Sequence, residues 1–473
     1  MFHFISQKEN MSTAETHVLA YPFPSSGHVI PLLDLTKALL SRGVQVTLLI
    51  TPNNQPLLPT NFPPNLHTLI LPEPLFPNPN QNRLVAIVTF MRQHHYPIIL
   101  DWAQAQAQAT PPSAILSDFF LGWTHLLARD LHVPRLVFSP SGAFALSVVY
   151  SLWRDLPRND TPQGPNAVVS FPNLPNSPVF HWHQLTLQFT KPERGGPEWE
   201  FHRENILLNI DSHGVVFNSF NDLERVYLDH MKKELRHERV WAVGPVLPLS
   251  PLPEERGGSS TVSRHDIMGF LDSREDGSVV YVCFGSRTFL TSHQMEVLTR
   301  ALELSGASFV LSVGVAKAKE HGKVPCGFVD RVGVRGRGFL IEGWAPQLEI
   351  LGHRSVGAFL THCGWNSVLE GLVSGVVMLT WPMGADQYTN AKLLVEELGV
   401  AVGAAEGEEK VPEAEELAKR IERALGRSTK ERVRAEELRN AALRAVGEGG
   451  SSQKELDAMV KVLGEVKHEG DAT

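Results

Sequence analysis

Cysteine is scarce in this chain: three residues in 473, Cys283, Cys326 and Cys363, widely spaced and without a CxxC or CxxH pair. That excludes a disulfide framework and a zinc site of the usual spacing, and it fits a reducing compartment. Positive charge is also short. Forty-three Lys and Arg stand against 51 Asp and Glu, a formal charge of -8, so no basic field is available for a nucleic-acid backbone or an anionic membrane surface. No window approaches the ~18 apolar residues needed to span a bilayer. The opening "MFHFISQKEN" lacks the basic and apolar regions of a signal peptide. The expectation is a cytoplasmic protein, with Met11 as an alternative start to Met1 and the sequon at Asn159 unused.

What is present is alternation. "HVLAYPFP" reads as a buried strand, "SSGH" as a turn, "VIPLLDLTKALLSRG" as an amphipathic helix ending at Gly43, and "VQVTLLI" as the next strand. A second series starts near Ser278 with strand "SVVYVCFG", helix "SHQMEVLTRALELSG" and strand "SFVLSVG", followed by the strands "GFLIEGW", "GAFLTH" and "VVMLTWP". Two α/β units of the same kind are expected, each a parallel sheet wrapped by helices. The Pro-, Gly- and Ser-rich stretch near 244–266 reads as the linker between them. The division is an N-terminal unit at 1–245, a linker at 246–266, a second unit at 267–450 and a terminal helix at 451–473 capped by Ser451 or Ser452. The charged blocks between 406 and 439 read as solvated helix faces.

Open parallel sheets bind ligands beyond the carboxyl ends of their strands. In the second unit those ends carry Ser286, Trp344 with Gln347, and His362 with Trp365, Asn366 and Ser367. Gly364 to Ser367 would open a helix, whose free amides and positive dipole end attract phosphate. Glu370, four residues after Asn366, would share its face. Singly, each residue fits a structural role. Together, a flat aromatic, a helix N-terminus beside a histidine and a carboxylate are what a nucleoside diphosphate needs.

The stretch Trp344–Gln387, "WAPQLEILGHRSVGAFLTHCGWNSVLEGLVSGVVMLTWPMGADQ", resembles the signature of the plant UDP-dependent glycosyltransferases of secondary metabolism. "PFPSSGHVIPLLDL", "LSDFFLGW" and "VVYVCFGSR" resemble other segments of that family, so the likeness spans nearly the whole chain. One departure is visible: Val377 stands where the signature has proline. The resemblance implies a GT-B fold, two Rossmann-like domains facing across a cleft with the last helix crossing back to the first. It implies that Trp344 stacks on uracil with Ala345 and Gln347 nearby, that Glu370 binds the ribose, and that Ser286, His362, Gly364, Asn366 and Ser367 hold the diphosphate. Trp365, Asp386 and Gln387 would face the sugar, and the terminal Gln resembles members that prefer UDP-glucose.

His28 is the candidate general base, and Asp118, ending "SAILSD", the carboxylate that orients it, although Asp118 could equally cap the following "FFLGWTHLLARD" helix. The implied reaction is an inverting displacement at the anomeric carbon. UDP-sugar is a co-substrate; no cofactor and no metal are expected, in keeping with the lack of any Asp-x-Asp motif. Phe119, Phe120, Trp123 and Phe144, with Trp182 and Phe189, could line a pocket for a small aromatic acceptor, a flavonoid or simple phenol. The protein is expected to act as a monomer. O- and C-glycosylation, and other UDP-sugars, remain open from sequence. A nicotinamide oxidoreductase would carry GxGxxG after a strand, and none is present; a catalytically silent nucleotide-sugar binder would lack His28 or Asp118, and both are present.

Overall fold

The computed structural model describes residues 16–58, 63–75, 82–106, 110–158, 164, 167–190, 194–248, 262–314, 323–328, 330–331 and 336–470. Both candidate start methionines, Asn159 and most of the 246–266 linker lie outside the described residues.

Strands β1 (His17–Tyr21), β2 (Gln45–Ile50), β3 (Leu66–Ile70), β4 (Ala114–Asp118) and β5 (Arg135–Ser139) are short and apolar. A small antiparallel pair, β6 (Val168–Ser170) with β7 (Val179–His181), precedes β8 (Gly214–Phe217) and β9 (Val240–Ala242). Seven of these form one parallel sheet in the order β3-β2-β1-β4-β5-β8-β9. β1, β4, β5 and β8 are buried along their whole length, as expected of strands covered by helices on both faces.

The second unit repeats the scheme. β10 (Val279–Cys283), β11 (Ser308–Val313), β12 (Gly338–Glu342), β13 (Val356–Thr361), β14 (Val377–Thr380) and β15 (Ala401–Gly403) form a parallel sheet in the order β12-β11-β10-β13-β14-β15. The molecule is thus α/β with two Rossmann-like sheets, the GT-B arrangement. Each sheet reverses its winding once, between β1 and β4 in the first and between β10 and β13 in the second, and such switch points open crevices at the strand ends.

The helix Ser451–Gly470 lays Leu456, Met459, Val460 and Leu463 into the same apolar cluster as Val18, Leu35 and Leu39 of the first unit. Arg42 Nε donates to Asp457 Oδ1 at 2.7 Å beside it. Neither Ser451 nor Ser452 is the cap: the helix already begins at Ser451, the Lys454 amide donates to the Gly450 carbonyl, and the Ser452 hydroxyl donates to the Gly244 carbonyl. Among the described residues no helix is long and apolar enough to cross a membrane.

Two local expectations are corrected. "SSGH" is not a turn before the first helix; Ser26–Leu40 is one helix, so His28 sits in its first turn. "FFLGWTHLLARD" is not one helix either, but a 3-10 turn at Phe119–Leu121 followed by an α-helix at Thr124–Asp130. Gly122 lies so close to Asn205 that a Cβ there would stand 1.7 Å from the Asn205 carbonyl oxygen, and this contact with a later segment breaks the helix.

Two buried histidines make the fold acid-sensitive. His95 is bonded at Nδ1 to Tyr21 Oη (2.6 Å) and at Nε2 to Pro72 O (2.7 Å), a pattern that suits the neutral ring, and His202 packs on the edge of Trp153. Burial lowers the pKa of each to about 4. Because the folded value lies below the unfolded one, near 6.5, protons bind the unfolded chain preferentially; stability is present above that value and is lost as pH falls toward 4. Each should cost roughly 1 to 2 kcal/mol at pH 5 relative to pH 7. Urea midpoints at the two pH values test this, and a midpoint independent of pH would contradict it.

Candidate active site

The two switch-point crevices face each other across one cleft of about 2340 Å³, which is lined from the first unit by His28, Phe119 and Phe120 and from the second by Ser286, Trp344 and His362.

On the first side, His28 follows β1 and Asp118 ends β4, which pair in register at Tyr21↔Ser117. His28 Nδ1 lies 2.7 Å from Asp118 Oδ2, with the imidazole partly exposed and the carboxylate wholly buried. The second carboxylate oxygen accepts the Phe120 amide at 2.9 Å, so Asp118 caps the short turn and orients the imidazole at once. Phe23, Phe119 and Phe120 wrap the ring, the last stacked at 5.2 Å. With Nδ1 turned to the carboxylate, Nε2 is the ring nitrogen left for the cleft.

On the second side, the helix Trp365–Ser374 begins at Gly364 with no side-chain cap, which leaves its first amides to the cleft. His362 stands beside them. Its ring is hemmed by two glycines: a Cβ would fall 2.8 Å from the ring at Gly285, whose φ of +77° also suits only glycine, and 2.5 Å from Nε2 at Gly364. Burial lowers the His362 pKa to about 4, so the imidazole is neutral at cellular pH, and its buried Nδ1 has no partner.

Beyond the helix start, Gln347 Nε2 donates to Glu370 Oε2 (2.6 Å) and Ser367 Oγ (3.0 Å), and Tyr281 Oη donates to Gln347 Oε1 (3.3 Å). Trp344 and Ala345 line the cleft next to this network. Asp386 Oδ2 accepts from Ser141 Oγ (2.5 Å) and Asn390 Nδ2 (2.9 Å). Gln387 Oε1 accepts the amides of Met383 and Gly384, tying down that loop.

Several expected contacts lie elsewhere. Trp365 reaches the cleft wall but is 3% exposed, and its indole N–H donates to Asn218 O (2.7 Å), making it a strut between the units more than a sugar contact. Trp123 and Phe144 do not line the cleft. Trp123 is fully buried against Tyr21, and Phe144 stacks on Tyr227 at 4.3 Å. Phe189 is likewise core beside Trp153, and Trp182 packs against Phe189 away from the cleft. Aromatic rings that follow Asp118 in sequence serve core and cleft alike, and only the fold separates them.

Residues 260–422 match the family described as UDP-glucoronosyl and UDP-glucosyl transferase. A flavonol 3-O-glucosyltransferase of Arabidopsis thaliana is 44% identical over 96% of this chain and 97% of its own. The chain belongs to the UDP-dependent glycosyltransferases. Among solved structures, that of Arabidopsis thaliana UGT89C1 with UDP-L-rhamnose is similar to this glycosyltransferase at a TM-score of 0.77 and 35% identity, covering 95% of this chain and 99% of that one. That of Phytolacca americana UGT2 with UDP-2fluoro-glucose and pterostilbene reaches 0.81 at 28% identity, covering 95% and 99%.

Sequence reasoning missed the bridging residues of this glycosyltransferase. Ser26 Oγ lies 3.1 Å from Ser286 Oγ, and Asn366 Nδ2 donates to Gly27 O at 3.0 Å, so the first turn of the helix that carries His28 is tied directly to the second unit. Ser141, on Asp386, is a third such bridge. No local pattern marks a serine whose partner is more than 200 residues away.

Proposed function

We propose that this glycosyltransferase moves glucose from UDP-glucose to a hydroxyl of a small phenolic or flavonoid acceptor, with inversion at the anomeric carbon. The observation that carries the reading is the 2.7 Å contact of His28 with buried Asp118, set in the same cleft as His362 and the uncapped helix start.

The second unit holds the donor. Trp344 offers a face to uracil, Glu370 meets the ribose hydroxyls, and Ser286, His362, Asn366, Ser367 and the amides after Gly364 receive the diphosphate. A neutral His362 donates a hydrogen bond without placing a second full charge against the helix dipole. Its orphan nitrogen and the orphan Asn366 Oδ1 support a polar guest at this spot. Asp386 and Gln387 stand at the sugar end. His28 Nε2 takes the acceptor proton, the acceptor oxygen attacks the anomeric carbon from the face opposite UDP, and the diphosphate leaves along the helix axis. Phe119 and Phe120 supply an apolar wall for a flat acceptor, and the names of the relatives support an aromatic one.

The reading needs no metal, places the enzyme as a monomer and sets it in the cytosol, the last supported by three unpaired cysteines. The test is a screen of UDP-sugars against phenolic acceptors, with product linkage and anomeric configuration read by NMR and a parallel series in EDTA. β-Glucosides formed at an undiminished rate in chelator are expected; binding of UDP-glucose without turnover on any acceptor would refute catalysis. Donor preference is the finer question, since one similar structure holds UDP-L-rhamnose. Gln387→His should lower the UDP-glucose to UDP-galactose rate ratio about ten-fold, near 1.4 kcal/mol; an unaltered ratio would remove Gln387 from sugar selection.

A further inference from the structure

Arg135 opens β5 with its guanidinium buried, at 2% exposure. Nε donates to Ser117 Oγ (2.9 Å) and Thr124 Oγ1 (2.7 Å), and Nη2 donates to Asn209 Oδ1 (2.8 Å). These acceptors are all neutral, and the buried Nη1 has no partner. A cation buried without a paired anion is costly, so its presence calls for a compensating charge nearby.

That charge is Asp118. Ser117, which Arg135 holds, immediately precedes it on the neighbouring strand. Asn209, which Arg135 also holds, donates from Nδ2 to the Phe119 carbonyl at 2.7 Å, and Asn205 donates to the Phe120 carbonyl at 2.8 Å and accepts the Trp123 amide at 2.9 Å. The network therefore encloses the turn that carries both the carboxylate and the aromatic wall. We propose that Arg135 is a positioning residue for the His28–Asp118 pair: its hydrogen bonds fix the turn that presents Asp118, Phe119 and Phe120, and its charge stands behind the buried carboxyl that orients the imidazole. The inference rests on His28 being the base. Burial lowers the Arg135 pKa to about 10, opposed by Tyr150 and Asp118. The groups that share this field are Asp118 on β4, to which His28 is bonded, Tyr150 within Ala143–Asp155, and His125 within Thr124–Asp130 with Asp211 beyond it.

The signs are definite. Removing a buried cation favours the protonated form of any titrating group in its field, which moves the acid limb of kcat/KM upward. With an acceptor whose hydroxyl does not ionise between pH 5 and 8, Arg135→Met should raise that limb by about half to one pH unit, so that kcat/KM falls about three- to ten-fold on the acid limb and less toward the plateau. Arg135→Lys, which keeps the charge, should return the limb to its original position. Asn209→Asp, which gives the guanidinium a carboxylate partner, should raise the limb as well, and it decides the matter if Arg135→Met does not fold. A folded variant of either neutralising kind whose activity falls equally at every pH would make Arg135 structural only. His28→Ala separates the two ideas: if it keeps its rate, the base assignment falls, whereas an inactive His28→Ala beside an unmoved limb overturns only Arg135.

Discussion

His28→Ala is expected to lower kcat for hydroxyl acceptors by about 10²- to 10⁴-fold while leaving UDP affinity within about two-fold, because a positioned general base contributes that much and the nucleotide is held from the opposite side of the cleft. The surroundings of the imidazole fix its orientation. Nδ1 is bonded to a carboxylate with no solvent access, Phe119 and Phe120 pack together on one side of the ring, and the partly exposed remainder meets the cavity. Asp118→Asn should sit between wild type and His28→Ala, since an amide can hold the ring but neither enforces the tautomer nor stabilises the imidazolium. The Phe120 amide also loses its carboxylate acceptor in that variant, so thermal melting must accompany the kinetics. Unchanged turnover by His28→Ala, or a matching loss of UDP binding, would take His28 out of the base role.

Glu370→Ala is expected to raise KM for UDP-glucose about 100-fold with a smaller change in kcat. A buried carboxylate that accepts two ribose hydroxyls makes charge-assisted bonds of about 1.5 to 3 kcal/mol each, and these exist equally in the ground and transition states. Glu370 is 4% exposed and is held by Gln347 at 2.6 Å, whose other end meets Tyr281, so the acceptor atoms stand ready before nucleotide arrives. Gln347→Ala should reproduce part of the effect by letting the carboxylate turn. Isothermal titration with UDP and with uracil separates the contributions: the variant should lose affinity for UDP and not for the base alone. A KM unaffected by Glu370→Ala would move the ribose elsewhere in the cleft.

The second unit's side of the cleft was legible in the sequence because it is nearly contiguous. Trp344, Gln347, His362, Asn366, Ser367 and Glu370 fall within 27 residues, after two strand ends and on two helix starts, where period and capping rules already place them on a common side. The first unit's side was not. Phe119 and Phe120 face the cleft while Trp123, three residues on, is in the core, since Gly122 and Asn205 break the expected helix and turn the chain. Phe144 is drawn inward by Tyr227, a contact across 83 residues of sequence that no periodicity records.

Composition, the double α/β alternation and the resemblance of the motifs determined the class of molecule and the two sheets, and singled out His28, Asp118 and the polar residues at the strand ends of the second unit. Only the tertiary structure decided which aromatic rings wall the cleft, that Trp365 is a strut to Asn218, that Ser26, Gly27 and Ser141 tie the two units together, and that a buried cation stands behind Asp118. The physical reason is range. Backbone periodicity and helix ends act over a few residues and are written locally, whereas burial and hydrogen-bond partnership depend on which distant segments the sheets bring together.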